Sequence, residues 1–208
     1  MLKVGLTGGI SSGKSTVADM LEEMGCRVLR LDLLAHELMA PGRPAYQEII
    51  AAFGTEILAP DGAIDRKKLA RRVFADRAQL ERLNAIVHPR VIERTEERLT
   101  EIAHREPAAV VVVEAALLVE SGFYRRLNKL IVTWCTPEQQ RERLIARTSL
   151  SRVEAEQRLA AQLPQEEKRH YADYAIDCSG SLPHTRAQVE QVLAELRRHT
   201  GSAAKSSA

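Results

Sequence analysis

Cysteine is scarce in this chain: Cys26, Cys135 and Cys178 are the only three in 208 residues. They are odd in number, far apart and without metal-ligand spacing, which argues against a disulfide framework or a zinc site and suits a reducing compartment. Aromatic side chains make up only 4% of the chain, too few for the stacking platforms that single-stranded nucleic acid needs. Charge of neither sign dominates, since 30 Lys+Arg against 28 Asp+Glu leave a net +2. Without a dense basic block, no nucleic-acid partner is expected. Long hydrophobic runs are missing too: the longest, from Ala108 to Val113, is far too short to cross a membrane. No signal-peptide pattern precedes the first apolar segment, because Lys3 and Gly5 interrupt it. The expectation is a cytoplasmic protein without membrane attachment, its oligomeric state left open.

What is present is a hydrophobic fraction of 45%, enough for one sizeable core with an insertion rather than two independent domains. The most informative run is Gly8-Gly9-Ile10-Ser11-Ser12-Gly13-Lys14-Ser15-Thr16, which fits the phosphate-loop pattern G-x-x-x-x-G-K-[ST]. Glycines let successive N–H groups turn inward around phosphates, Lys14 places a cation near the β- and γ-phosphates, and Ser15 offers a hydroxyl to Mg²⁺. An apolar strand with Val4 and Leu6 feeds the loop, and a helix with Val17, Met20, Leu21 and Met24 on one face leaves it. That helix aims its positive end at the phosphates.

A second strand is predicted over Cys26 to Leu31, after Gly25 closes the helix, ending at Asp32. From about 33 to 105 the strand rhythm stops and helical spacing takes over: Leu69, Val73 and Phe74 share a face, as do Leu80, Leu83 and Val87, with a turn at Pro60-Asp61-Gly62. Pro89 predicts a break at His88-Pro89 and a new helix beyond it. Strands resume at Ala109 to Glu114 and Lys129 to Trp134. Thr136-Pro137-Glu138-Gln139 and Ser151-Arg152-Val153-Glu154 read as capping boxes, starting one helix toward Arg147 and another to about Leu163. A short strand at Tyr174 to Asp177 precedes a helix carrying Val189, Val192, Leu193 and Leu196, and the small polar residues from Thr200 predict a disordered tail. Five strands alternating with helices describe an α/β/α fold on a parallel sheet of the phosphate-loop NTPase type, with ligands at the carboxyl ends of the strands.

On that rim Asp32 is either a base for an acceptor hydroxyl or a helix N-cap. Glu114 either holds Mg²⁺ through water or caps a following helix. Arg141, Arg143, Arg147, Arg152 and Arg158 crowd two successive helices; they either pair with neighbouring glutamates or close over a transferring phosphoryl group. His36, one turn past Asp32, either lines the pocket or faces solvent, and His88 is either a catalyst or, ahead of a proline, a helix-start residue. A GTP-dependent switch is a poorer fit. Asp177-Cys178-Ser179-Gly180 matches D-x-x-G but falls late in the chain, and Asn128-Lys129 is followed by Leu130-Ile131, with no aspartate to read guanine. A non-catalytic nucleotide-binding module and another nucleotide kinase stand as further alternatives.

A larger set of residues resembles the dephospho-CoA kinase family. It comprises Leu6 to Ser15, Asp32 with Ala35-His36-Glu37, Phe53-Gly54, Asp61-Gly62 with Asp65-Arg66, and Leu83-Asn84-x-Ile86-x-His88-Pro89. It continues through Gln140-x-x-Arg143-Leu144-x-x-Arg147, Arg158-x-x-x-Gln162 and Ala172-Asp173. The resemblance implies ATP-dependent phosphorylation of the ribose 3′-hydroxyl of dephospho-CoA, with ATP and Mg²⁺ as cofactors and dephospho-CoA as the small-molecule partner. It implies a nucleotide-binding core over 1–32, 106–136 and 171–199, a helical acceptor-binding insertion over 33–105 and a lid over 137–170. Asp32 is implied as general base, Lys14 as phosphate clamp and Arg147 as a lid arginine. Asp32, His36, Arg66, His88, Pro89, Leu117 and Leu118 are implied to meet the acceptor. Three positions depart from the usual pattern: Ser11 replaces a glycine, Glu114-Ala115-Ala116 replaces Asp-x-Pro, and Cys178 replaces an asparagine.

Overall fold

The computed structural model describes residues 1–74, 76–148 and 150–205, and the side chains of these apart from 74, 77 and 200–205. In chain order the elements are β1 (Leu2–Gly8), α1 (Lys14–Glu23), β2 (Arg27–Arg30), α2 (Leu31–Leu38), α3 (Pro44–Phe53), α4 (Arg66–Phe74) and α5 (Arg77–Arg105). They continue with β3 (Val110–Glu114), β4 (Lys129–Trp134), α6 (Pro137–Thr148), α7 (Arg152–Ala160), α8 (Gln165–Arg169), β5 (Tyr174–Asp177) and α9 (Leu182–Lys205). The chain divides into two compact units, Met1–Arg30 with Ile102–Ala208, and Leu31–Glu101.

The first unit is built on a five-stranded sheet in the order β2-β3-β1-β4-β5, every pairing parallel. Strand side chains alternate between faces, so a sheet covered on both sides needs apolar residues at every position. Val4, Leu6, Val110, Val112 and Ile131 pack with Val17 and Leu21 of α1 and with Val189, Leu193 and Leu196 of α9. The intervening Val111, Val113 and Val132 are equally buried. Burial of each such side chain contributes about 1.5–3 kcal/mol, which fixes the register: Leu6 stands between Glu114 and Ile131, Arg30 opposite Glu114, and Gly8 opposite Thr133. The carboxyl ends of the five parallel strands thereby form one rim.

Both expected capping boxes are present. Thr136 Oγ1 accepts from the Gln139 N–H at 3.2 Å and Gln139 Oε1 from the Thr136 N–H at 3.3 Å, and Ser151 and Glu154 do the same for α7. Helix α7 ends at Ala160, short of the predicted Leu163: the Gln162 N–H donates only three residues back, to the Leu159 carbonyl, and the Leu163 N–H turns to Glu120 Oε1. Helix α9 runs to Lys205, past the Thr200 where a disordered tail was expected. Ala203 and Ala204 favour that continuation, and 206–208 lie outside the described residues.

In the second unit α3 buries Ala45, Tyr46, Ile49 and Phe53 at helical spacing, while Leu69 and Val73 of α4 turn inward. The side chain of Phe74, expected on the same face, lies outside those described. The turn at Pro60-Asp61-Gly62 is as predicted: Gly62 sits at φ 83°, donates to the Ala59 carbonyl at 2.9 Å, and Leu58 bridges Ile64. Pro89 gives a correction. Helix α5 passes through it unbroken. Proline removes the bond to the carbonyl four residues back, but Val87 and Val91, one turn apart on either side of it, are both buried at 8% exposure; packing of that face outweighs one missing bond. No helix among the described residues is long and apolar enough to cross a membrane.

Candidate active site

The loop between β1 and α1 is shaped to leave donors open. Gly13 is the N-cap of α1 at φ 98°, and no side chain caps the helix. Because a helix start leaves its first N–H groups unpaired inside the helix, those of Gly13, Lys14 and Ser15 remain without partners among the described residues, as does that of Ser11. Their dipoles and the helix end favour an anion. Ser11 is the one described non-glycine residue at positive φ, 60°, at a cost of about 1–2 kcal/mol for an L-residue. The Ser12 N–H is not among the open donors, since it donates to the Gly9 carbonyl at 3.1 Å. The buried Ser12 hydroxyl is paired with Thr133 Oγ1 at 2.8 Å, and Thr133 in turn donates to the Thr7 carbonyl. A Cβ on Gly8 would lie 2.5 Å from Ser12 Oγ and 2.6 Å from the Thr133 carbonyl oxygen, so this glycine is required by close approach.

Glu114 ends β3 at 5% exposure and gathers the site's charges. Lys14 Nζ stands 2.6 Å from its Oε1, Ser15 Oγ donates to the same oxygen at 3.2 Å, and Arg30 Nε lies 3.4 Å from Oε2. No helix starts after Glu114; residues 116–121 form turns, which removes the capping alternative. The Ser15 and Glu114 oxygens are a pair of hard donors that fit Mg²⁺, an ion that takes one or two protein oxygens and fills its remaining positions with water and phosphate. Among the described residues no cluster of three His, Cys, Asp or Glu exists to hold a metal independently.

Several supporting residues were not readable from local pattern. Arg30 bridges Glu114 to Asp19 and Glu22 of α1, at 2.7 and 2.8 Å. Lys168 is fully buried, donating to the Ala116 carbonyl and pairing with Glu120, both at 2.7 Å. Burial pulls its pKa down, Glu120 opposes that, and Lys14 adds a further downward push. Glu120 also accepts from the Leu163 N–H. Lys168 and Thr7, which donates to the same Ala116 oxygen at 3.1 Å, hold the turn that carries Leu117 and Leu118. Leu117 is 37% exposed, whereas Leu118, expected to meet a ligand, is buried at 1%. The lone pairs and protons of these groups meet only in the fold, so no spacing announces them.

The crowded arginines divide. Arg141 pairs with Glu138 and Glu156, and Arg152 with Glu156, while Arg143 donates to the Cys178 carbonyl at 2.9 Å. Arg147 is exposed in the last turn of α6. Asp177, of the D-x-x-G match, accepts from the Ser179 N–H two residues on and closes a local turn. Cys178 packs against Gly13, and burial pushes its thiol up to about 12, making it an apolar filler.

Strand β2 has already ended at Arg30, and in the second unit Asp32 stands exposed in the first turn of α2, neither at a strand end nor at an N-cap. The hydrogen bonds of α2 start a residue or two earlier than the apolar run suggested. His36 follows one turn later, and burial with the nearby Arg66 charge pushes its imidazole below the ordinary value, against the opposing pull of Asp32. Arg66 is exposed at the start of α4. His88 is half-buried and lowered by that burial, and Pro89 beside it is exposed.

Unpaired loop donors, a lysine and a serine at an acidic strand end, and a parallel 2-3-1-4-5 sheet together define a nucleotide-binding protein of the phosphate-loop class. Comparison with known proteins narrows the class. The family model described as dephospho-CoA kinase matches residues 2–184. Dephospho-CoA kinase of Moorella thermoacetica is 45% identical over 199 residues, 96% of this chain and 94% of the relative. That of Geobacter metallireducens is 49% identical over 189 residues, 91% and 94% of the two chains. The solved dephospho-CoA kinase of Campylobacter jejuni superposes with a TM-score of 0.70 at 27% identity, over 95% of this chain and 98% of that one. The chain belongs to the dephospho-CoA kinase family.

Proposed function

We propose that the protein transfers the γ-phosphoryl group of ATP to the ribose 3′-hydroxyl of dephospho-CoA, giving coenzyme A and ADP. The observation that carries this reading is the Lys14–Glu114–Ser15 group beside the unpaired N–H donors of the loop, in a chain of this family. The open N–H groups of Ser11, Gly13, Lys14 and Ser15 receive phosphate oxygens, and Lys14 exchanges Glu114 for the β- and γ-phosphates. Ser15 and Glu114 are the residues that would hold Mg²⁺, which would supply neutralisation of phosphate charge when bound. Asp32 accepts the proton of the acceptor hydroxyl, and its exposure leaves it open to do so. His36, kept neutral, with Arg66, His88, Pro89 and Leu117, meets the acceptor; Leu118 anchors the turn beneath Leu117. Arg147 spreads the charge of the transferring group over a guanidinium.

In the same reading residues 1–32, 106–136 and 171–199 bind nucleotide, 33–105 bind the acceptor and 137–170 act as a lid. The test is ADP release from MgATP with dephospho-CoA, with adenosine or AMP, and with no acceptor, the product being checked for a new 3′-phosphate. Turnover confined to dephospho-CoA is expected. Turnover with adenosine or AMP alone would assign a different nucleotide kinase, and hydrolysis without any acceptor would remove the transfer reading.

A further inference from the structure

The phosphate loop is gripped from outside by three glutamines that the transfer chemistry does not use. Gln140 Nε2 donates to the Ile10 carbonyl at 2.7 Å, and Gln162 Oε1 accepts from the Ile10 N–H at 2.9 Å. Gln165 Nε2 donates to Gln140 Oε1 at 2.8 Å and to the Cys135 carbonyl at 3.2 Å. Gln165 Oε1 accepts from the Cys135 N–H, also at 3.2 Å. Gln140 and Gln165 are buried, at 8% and 6% exposure.

Amide orientation is settled within this chain of bonds, because both of its ends are main chain. The Cys135 N–H can only donate, so Gln165 Oε1 must face it and Gln165 Nε2 is left to donate to Gln140. Gln140 therefore presents its oxygen to Gln165 and its Nε2 to Ile10. The Ile10 carbonyl belongs to the same planar, trans peptide as the Ser11 N–H, and in such a peptide the C=O and N–H point opposite ways. Drawing the carbonyl outward onto Gln140 turns the Ser11 N–H away from the glutamines. That N–H has no partner among the described residues, and the turn is made at the residue held at φ 60°.

We propose that Gln140 and Gln165 are positioning residues for nucleotide binding: a relay from the Cys135 main chain that aims the Ser11 N–H at a phosphate oxygen and holds the unfavourable backbone angle of Ser11. Neither glutamine touches the nucleotide. The inference rests on the loop binding ATP as proposed above. Where most of the loop's glycine-dependent shape comes from local geometry, this one donor is oriented from α6 and α8.

The test compares wild type, Gln140→Met, Gln165→Met and the double variant. ATP affinity is read by calorimetric titration, KM for dephospho-CoA by turnover, and folding by thermal denaturation. Gln140→Met is expected to weaken ATP about 10-fold, equivalent to about 1.4 kcal/mol, and Gln165→Met about 3-fold. The double variant should match Gln140→Met, because both residues act through one peptide, and KM for dephospho-CoA should stay within about 2-fold. Gln140→Glu, which keeps the acceptor for Gln165 but loses the donor, should repeat the loss and serves if the methionine variant fails to fold. Unchanged ATP affinity in a folded Gln140 variant would overturn the relay, as would losses that multiply in the double variant or fall equally on dephospho-CoA. Wild type that binds no ATP would instead overturn the proposed function itself.

Discussion

The two units of this chain hold their candidate functional groups in opposite ways. In the sheet unit Glu114 is 5% exposed, with a cation on each side and a serine hydroxyl on one oxygen. The loop beside it is braced through Thr133, Gln140 and Gln162. In the helical unit Asp32, Arg66 and Pro89 are exposed on helix surfaces, and His36 is only half-buried. Phosphate geometry is common to every nucleotide and repays a rigid cradle, since preorganised donors need no rearrangement when charge arrives. On the proposed reading the acceptor meets instead exposed and half-buried side chains on helices α2, α4 and α5, and exposed positions can be changed without unsettling a core.

The contrast can be broken by substitution. Lys14→Ala should have the largest effect: kcat/KM down about 10³-fold, in the range for loss of a preorganised charge stabiliser. ATP binding should weaken too, because the charge acts before and during transfer. Steady-state kinetics with a binding titration would show it, and equal ATP affinity would contradict the clamp. Asp32→Asn should lower turnover about 10²–10⁴-fold, the span for a general base, while ATP affinity and thermal stability hold because Asp32 is exposed. A matching loss of ATP binding would erase the distinction between the units.

Gly8→Ala probes the rigidity of the cradle. Its methyl would meet Ser12 Oγ and the Thr133 backbone, so denaturant titration should show a loss of about 1–3 kcal/mol; an unchanged midpoint would mean the loop yields freely. The smallest effect belongs to pH. His36 and His88 are both held below the ordinary 6.5, so below that pH the unfolded chain binds protons that the folded chain refuses. Stability is then full above about pH 6.5 and falls as pH drops toward the lowered values. Urea midpoints between pH 5 and 7.5 should decline on acidification, and His88→Gln should flatten part of that slope.

Much of this architecture was legible because its causes are local. The loop follows from the spacing of Gly8, Gly13, Lys14 and Ser15, β4 and β5 from their apolar runs, and α6 and α7 from the capping boxes at Thr136 and Ser151. Misreadings arose where distant packing overrides a local rule. Pro89 should stop a helix, yet buried Val87 and Val91 carry α5 past it. Asp32 looked like the end of a strand, but the helix begins at Leu31. Leu118 resembled its neighbour Leu117, and only the turn held by Thr7 and Lys168 separates inward from outward. Arg30, Lys168 and the glutamines acquire meaning from partners 8 to 152 positions away along the chain, most of them beyond any range that periodicity samples.

The place of β1 in the sheet has a consequence for the protein's birth. Its neighbours are β3 and β4, and β3 begins at Val110, while β1 is finished at Gly8. At about 5–20 residues per second, a ribosome needs roughly 5–20 s to make the intervening chain. Throughout that interval the strand destined for the centre of the sheet has no partner, while the helices of Leu31–Glu101 can form from contacts close along the chain. The charge of Lys3 that interrupts its apolar run is of the kind that discourages such a waiting strand from pairing with another nascent chain.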